Sequence, residues 1–398
     1  MKVLYYHQHF STPKGATGTR SYEFSQKLIQ MGHKVVMVCG SNWIADSGLK
    51  GDFKDGMRIG NVDGIKVIEF ELPYSNSDNF KKRSIIFLKY AFNGIKIALK
   101  EKYDIIFATS TPLTSGIPGI FAHYLRKKPF IFEVRDLWPE LPKKMGVIKN
   151  PIILGLMDLL ETVSYKSAKA CIGLSPGIIK GIEKKTPHKK TIMIPNGCDF
   201  IKYDIEQNVD NNMFTAAFTG AHGIANGLDK VLDAAKILIK NNIYNIEIQF
   251  IGDGALKHQL IKRSKDENIF NCKFLDPMPK QKLFSYLTNN CDVGLMTLDN
   301  IPAFYYGTSP NKFFDYISLG LPVINNYPGW LADIIKKNNC GIVISPNDPE
   351  EFAKSLIKLK DKPKMLKQMG MNSATLAKSS FDRNKLSHQF VKFLESCI

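Results

Sequence analysis

Several stretches of the chain gather side chains and turns able to grip a polar or anionic substrate. The first apolar run, Met1–His7, empties into Ser11-Thr12-Pro13-Lys14-Gly15-Ala16-Thr17-Gly18-Thr19-Arg20, after which Ser21-Tyr22-Glu23-Phe24 opens a helical pattern. Gly15 and Gly18 let backbone amides approach a phosphate or a sugar where the helix dipole favours negative charge. The loop matches neither G-x-G-x-x-G nor a Walker A sequence, and its spacing equally suits a plain strand-to-helix turn. His7 and His9 stand beside it, and either suits a sugar hydroxyl or a phosphate. Further on, Phe132-Glu133-Val134-Arg135-Asp136-Leu137-Trp138-Pro139-Glu140 crowds three carboxylates and an arginine beside an aromatic ring. Charge this dense at the end of an apolar run reads as a site; the plain alternative pairs Arg135 with a carboxylate and places Trp138 in the core.

In the second half, Phe218-Thr219-Gly220-Ala221-His222-Gly223 and Phe250-Ile251-Gly252-Asp253-Gly254 each follow an apolar run and precede a helical one. Paired turns of this kind at one end of a sheet suit the phosphates and base of a nucleotide. Thr308-Ser309-Pro310-Asn311-Lys312-Phe313-Phe314-Asp315-Tyr316 opens a helix that ends near Gly320-Leu321-Pro322-Val323. Ser309 or Asn311 is placed to cap it and offer amides to an anion, Lys312 adds a mobile positive charge, and Asp315, one turn inward, can accept hydrogen bonds from ribose hydroxyls. No His-Glu-x-x-His and no Asp-x-Asp occurs, so no metal is expected.

The elements that must position these residues are short β-branched runs alternating with amphipathic stretches, the pattern of a parallel sheet covered by helices. Strands are expected at 2–7, 34–39, 65–70, 104–109, 129–134, 170–174 and 191–194, with residues 41–64 an excursion between the second and third. The pattern restarts with strands near 214–219, 246–251, 272–275, 292–297, 321–325 and 341–344, and residues 349–396 read as helices. The fold class is therefore α/β, with two Rossmann-like domains facing across a cleft that is the default ligand site. A chain of 398 residues is also longer than one core usually serves. The expected division is 1–199, 200–380 and a final helix, 381–398, packing back toward the first domain. A hinge is expected in the polar, turn-rich stretch Asn196–Met213.

The net charge of +17 is uneven: residues 1–200 carry 30 Lys/Arg against 17 Asp/Glu, and residues 201–398 carry 24 against 20. The first half is thus expected to face something anionic. Seven cysteines with no Cys-x-x-Cys argue for a reducing compartment. No apolar run is long enough to span a bilayer and no signal-peptide core follows Met1, so a cytoplasmic protein is expected. Lys81-Lys82-Arg83-Ser84-Ile85-Ile86-Phe87-Leu88-Lys89-Tyr90 sets a basic cluster against exposed-looking aromatics, as a helix on an anionic membrane would, and equally suits a core helix with a solvated basic end. No aromatic-basic signature points to a nucleic acid.

Taken in order, these segments resemble the GT4 family of retaining glycosyltransferases over nearly the whole chain. The resemblance rests on Gly15 and Gly18, Val134-Arg135-Asp136, Ile194-Pro195-Asn196-Gly197-Cys198-Asp199, Ile251-Gly252-Asp253-Gly254, and Pro310-Asn311-Lys312-Phe313-Phe314-Asp315 followed by Gly320-x-Pro322-Val323. The opening Tyr-Tyr-His-Gln-His-Phe with its Pro-Lys-Gly loop is similar to N-acetyl-L-fucosamine transferases of O-antigen and capsule assembly. The resemblance implies a GT-B fold and metal-free transfer from a UDP-sugar to a saccharide on undecaprenyl diphosphate at the inner membrane face. It implies Arg135 and Asp136 as catalytic. The donor would meet Gly15, Gly18, Gly220, Gly223, Gly252, Gly254, Met278, Ser309, Pro310, Asn311, Lys312 and Asp315. The acceptor would meet His9, Thr19, Arg20 and Trp138. Four positions depart from the family pattern. Gly307 stands where the first carboxylate of a Glu-x7-Glu pair belongs, Ala221 and Asn226 replace the usual diphosphate-holding Arg and Lys, and Arg135 replaces a histidine. Lys312, Lys257 or Lys230 would then supply the cation. A UDP-sugar 2-epimerase of the same architecture, working without acceptor, is the alternative.

Overall fold

A computed structural model describes residues 1–42, 44–75, 78–200 and 213–398. Most of the expected hinge, residues 201–212, therefore lies outside the described residues. The chain divides into two units: Met1–Pro195 with Gly307–Ser309 and Arg383–Ile398, and Asn196–Tyr306 with Pro310–Asp382.

The first unit is built on eight strands: β1 (Lys2–Tyr6), β2 (Lys34–Asn42), β3 (Met57–Val62), β4 (Ile65–Tyr74), β5 (Ile105–Thr109), β6 (Phe130–Val134), β7 (Ala170–Gly173) and β8 (Lys190–Met193). They lie in the order β3-β4-β2-β1-β5-β6-β7-β8, parallel except for β3. β5 and β6 are buried at every position, because helices cover both faces of the sheet. Alternate residues serve opposite cores: Leu4 and Tyr6 pack with Tyr90, Phe132 and Tyr165, while Val3 and Tyr5 pack with Phe24, Phe107 and Phe390. The C-terminal helix Arg383–Glu395 belongs to this second face, its Phe390 ring stacked 4.3 Å from Phe24. The strand order reverses between β1 and β5, so their carboxyl ends open a crevice where ligands of such sheets sit.

The segment read as an excursion, 41–64, contains a strand. β3 pairs antiparallel with β4 through a turn at Asp63-Gly64, where both residues have positive φ (51° and 83°). Asp-Gly is the usual dipeptide of a two-residue hairpin, so the signal was present within a polar run that hid it.

The second unit holds β9 (Phe214–Thr219), β10 (Ile246–Ile251), β11 (Cys272–Leu275), β12 (Val293–Met296), β13 (Val323–Asn325) and β14 (Gly341–Val343), all parallel, in the order β11-β10-β9-β12-β13-β14. Its reversal lies between β9 and β12. Cys198 belongs to this unit, its backbone N–H donating to the Phe381 carbonyl at 2.7 Å. The boundary accordingly falls before Asn196, a few residues earlier than the expected 199. No described helix is long and apolar enough to cross a membrane.

Candidate functional site

In the second unit, β9 and β10 deliver their glycine turns side by side. Gly220 N–H donates to the Ile251 carbonyl at 2.9 Å, and His222 N–H to the Asp253 carbonyl at 2.9 Å. Gly252 has φ +149°, and a Cβ on it would stand 2.0 Å from the Gly220 carbonyl oxygen. Only glycine permits that approach. Gly254 fits equally tightly, 2.7 Å from His222 backbone atoms. The His222 ring is buried beside Phe218, Phe250 and Phe274, and burial, with Lys257 nearby, pushes its pKa down to about 4, so it holds the turn as a neutral wedge. Gly223 stays open, with nothing within 4 Å of an added Cβ.

The helix Asn311–Ser318 presents its N-terminus with Pro310 at the cap position. Proline's ring carries no polar group to close the cap, and no side-chain cap hydrogen bond is made, which differs from the expected capping by Ser309 or Asn311. Phe313 N–H turns back to the Pro310 carbonyl at 3.2 Å, and no cap side chain holds the amides of Asn311 and Lys312, the arrangement in which a helix start can receive an anion. Tyr316 pins the helix to the sheet. Its hydroxyl accepts from Thr219 N–H at 2.9 Å and donates to the Ala217 carbonyl at 3.0 Å, and its ring fills the place a Cβ on Gly294 would take, 2.3 Å away.

That pinning sets Lys312 over the Phe218 ring, Nζ 3.6 Å from its centroid and 3.5 Å from a Cβ built on Gly220. Burial pushes its pKa down to about 7. Of the three candidate cations, Lys257 is spoken for by Asp276 (2.7 Å) and the Leu275 carbonyl (3.2 Å), and Lys230 lies 3.4 Å from Asp233. No described carboxylate lies within 4.0 Å of Lys312, so it is the cation placed beside the glycine turns. Asp315, one turn on, pairs with Lys280 at 2.9 Å, and Lys280 also binds Asp199. Lys280 escaped sequence reasoning, since nothing along the chain couples position 280 to 199 and 315. Met278 is half-buried in the loop between β11 and the helix Lys280–Asn290. Ser309 groups with the first unit.

In the first unit the switch point gathers His7 and His9 after β1, Ser110 and Thr111 after β5, and Arg135 and Asp136 after β6. Arg135 Nη1 lies 3.2 Å from His7 Nε2, and His7 Nδ1 lies 2.8 Å from Ser21 Oγ. A guanidinium only donates, so Nε2 accepts, the ring proton sits on Nδ1, and it is given to Ser21. Burial, then the charge of Arg135, hold His7 well below the usual histidine range and His9 at about 4. Both rings are neutral at ordinary pH. Asp136 accepts from Thr111 Oγ1 at 3.1 Å, and burial raises its pKa against the pull of Arg135. His9 packs on Tyr74 at 4.5 Å.

Two of the residues expected at the acceptor, Arg20 and Thr19, are buried, and that expectation is corrected here. Arg20 is 1% exposed; it donates to Glu133 Oε2 through Nη2 (2.7 Å) and Nε (3.1 Å), and to the carbonyls of Pro195 (2.7 Å) and Ile194 (2.8 Å). Glu133 is fully buried and also accepts from Thr109 at 2.7 Å; burial raises its pKa, but Arg20 outweighs that and holds it low. Part of the dense charge at 133–136 is thus a packing device after all. Thr19 is buried at the helix N-cap, and Trp138 packs against the core. Gly15 is buried too, a Cβ there falling 2.2 Å from Ser11 Oγ and 2.7 Å from the Asp46 amide nitrogen, so it closes the loop, while Gly18 is exposed.

Two family models match. Residues 15–197 match the "Glycosyl transferase 4-like domain" and residues 199–375 match "Glycosyl transferases group 1". The chain belongs to the GT4-type glycosyltransferases. No curated protein sequence matches it. Among solved structures, sucrose-phosphate synthase from Thermosynechococcus elongatus superposes with a TM-score of 0.76 at 14% identity, covering 99% of this chain and 98% of that one. WaaG, a glycosyltransferase involved in lipopolysaccharide biosynthesis, gives 0.70 at 15% identity over 98% and 99%. Anabaena HepE in complex with UDP and glucose gives 0.68 at 14% over all of both chains. The glycosyltransferase therefore has the GT-B fold, and its departures from the family pattern gain meaning. With Ala221 and Asn226 in place of basic residues, Asn226 Nδ2 donates to the Ala221 carbonyl at 2.7 Å and braces the turn.

Proposed function

We propose that this glycosyltransferase moves a sugar, with retained anomeric configuration, from a UDP-sugar to a saccharide carried on undecaprenyl diphosphate. N-acetyl-L-fucosamine or a related N-acetylated sugar suits the residues of the opening loop, and O-antigen or capsule assembly is the setting. The enzyme would work in the cytoplasm, at the inner face of the plasma membrane. What carries the reading is the uncapped start of the helix Asn311–Ser318, with Lys312 lying against the Gly220 turn and Asp315 one turn inward. The bound UDP and UDP-glucose of Anabaena HepE lend support.

As the bond between the anomeric carbon and the β-phosphate oxygen breaks, the sugar becomes oxocarbenium-like and negative charge collects on the departing phosphate. Helix-terminal amides and the Lys312 ammonium meet that charge, so no metal or other cofactor is needed. Asp315 accepts from the ribose hydroxyls, exchanging its contact with Lys280. Arg135, held by His7, and Asp136 orient sugar hydroxyls.

Thermal unfolding with UDP, GDP and dTDP tests the donor assignment. UDP is expected to raise the midpoint of the native protein, and Asp315→Asn to weaken UDP by about tenfold or more. Turnover that persists in EDTA supports the metal-free reaction. Absence of any UDP shift, or its full retention in Asp315→Asn, defeats the donor site, and conversion of UDP-sugar without acceptor replaces transfer by 2-epimerisation.

A further inference from the structure

Twelve of the 24 exposed large apolar side chains among the described residues lie on three helices of the first unit, Phe80–Lys100, Ile117–Arg126 and Pro151–Ser167. Their inner faces share one core, through Ile86, Tyr90, Ala122 and Tyr165. The middle helix packs against both others, so closely that a Cβ on Gly94 would stand 2.8 Å from Pro118. The three thus form one layer, and its outer surface carries Phe92 (65% exposed), Leu125 (63%), Ile152 (73%), Leu156 (62%) and Leu159 (59%). Isolated exposed apolar residues need no explanation, but a concentration of this kind marks an interaction surface.

Charge decides the partner. On the helix Phe80–Lys100, Ile85, Leu88, Phe92 and Leu99 share one outward stripe, and Lys82, Lys89, Lys96 and Lys100 run beside it. That helix has six basic residues and no acidic one, and from Phe80 to Leu156 the chain carries 14 Lys/Arg against five Asp/Glu. The acidic groups of the third helix, Asp158 and Glu161, share Lys185 as partner, and Glu161 is buried. Where the first helix begins, a groove of about 390 Å³ runs between Lys81, Lys82 and Lys89 over Leu72, Pro73 and Ile85, with Glu71 at its rim. A second copy of this chain would bring like charge to like charge. An anionic bilayer offers phosphates to the lysines and acyl chains to the apolar stripe.

We propose that this three-helix face is a docking surface for an anionic lipid bilayer, with lipid phosphates held by Lys81, Lys89 and Lys96 and the bilayer's apolar edge taking Phe92, Leu125 and Leu156. The basic segment 81–90 is only its corner: Ile86 and Tyr90, grouped with the exposed aromatics on sequence grounds, are core residues. The proposal deepens, and for its purpose rests on, the reading that the acceptor is lipid-borne.

Co-sedimentation of the full chain with vesicles of mixed phosphatidylglycerol and phosphatidylcholine, or of phosphatidylcholine alone, tests it. Two variants are compared, F92S/L125S/L156S and K81Q/K89Q/K96Q; all six sites are on the outer surface, and unchanged thermal unfolding checks that both fold. The native protein is expected to pellet with the anionic vesicles and much less with the neutral ones, and each variant to lose binding by about tenfold or more. Equal binding by native protein and variants, or no binding by the native protein, overturns the proposal. So does a lipid-free dimer in sedimentation velocity that F92S/L125S/L156S dissolves, since that makes a second copy the occupant. The UDP-induced thermal shift is read on the same samples. Vesicle binding lost by the variants with that shift intact supports the docking face, and vesicle binding without any UDP shift supports it while defeating only the donor reading.

Discussion

In the proposed donor site Lys312 stands in for the two basic residues of the family pattern, and its burial gives that proposal a pH signature. Its pKa of about 7 in the folded chain lies below the ordinary 10.5. Between those two values the unfolded chain binds more protons than the folded one, so this group makes stability rise with pH across that window. Below about 7 the buried ammonium is a standing cost. Lys312→Met is therefore expected to raise stability most below pH 7 and to flatten the pH dependence above it, as read by urea unfolding across the range. UDP binding reverses the balance. A diphosphate beside Lys312 favours the ammonium, so binding above about pH 7 should take up a proton, and calorimetry in buffers of different ionisation enthalpy reads it. Lys312→Met should abolish that uptake and weaken UDP by about tenfold.

Two element-level joints hold the sites in place. Arg20 ties the first helix to β6 through Glu133 and to the end of the first unit through the Ile194 and Pro195 carbonyls. Removing one partner strands the other as a buried charge, so Arg20→Met is expected to cost about 3–5 kcal/mol in denaturant unfolding, while Arg20→Met with Glu133→Leu recovers part of it. In the second unit the turns after β9 and β10 meet at Gly252. An alanine there brings a strained φ and a methyl 2.0 Å from the Gly220 carbonyl, so the two turns must part. Gly252→Ala should lower UDP affinity about tenfold or more, with a loss of thermal stability of about 1–3 kcal/mol.

Across the whole chain, the long periodic segments were open to reading: near-continuous apolar runs such as Ile105–Thr109 and Phe130–Val134 cannot sit anywhere but between two helical layers. β3 escaped because it is an edge strand whose exposed face mixes Ile59 with Asn61 and shows no apolar alternation, and only the Asp63-Gly64 turn betrays it. The glycine turns and the 310–315 helix start were equally legible, since their backbone geometry is one that glycine and proline announce. The excess charge of residues 1–200, net +13, was countable as well, yet its use depended on which helix faces turn outward.

By itself, the amino-acid order settled the fold class, the repeated strand-turn-helix plan and the positions of the glycine turns, because these arise from local periodicity and from residues with unusual backbone freedom. Only the tertiary structure decided that Arg20 and Glu133 neutralise each other in the interior, that Lys280 joins Asp199 to Asp315, that Lys312 rather than Lys257 or Lys230 stands without a carboxylate partner among the described residues, and that three helices present one apolar, basic face. Each of these is a pairing between residues far apart in the chain. A charge's meaning depends on what lies within a few ångströms of it, and that distance is set by folding rather than by spacing along the sequence.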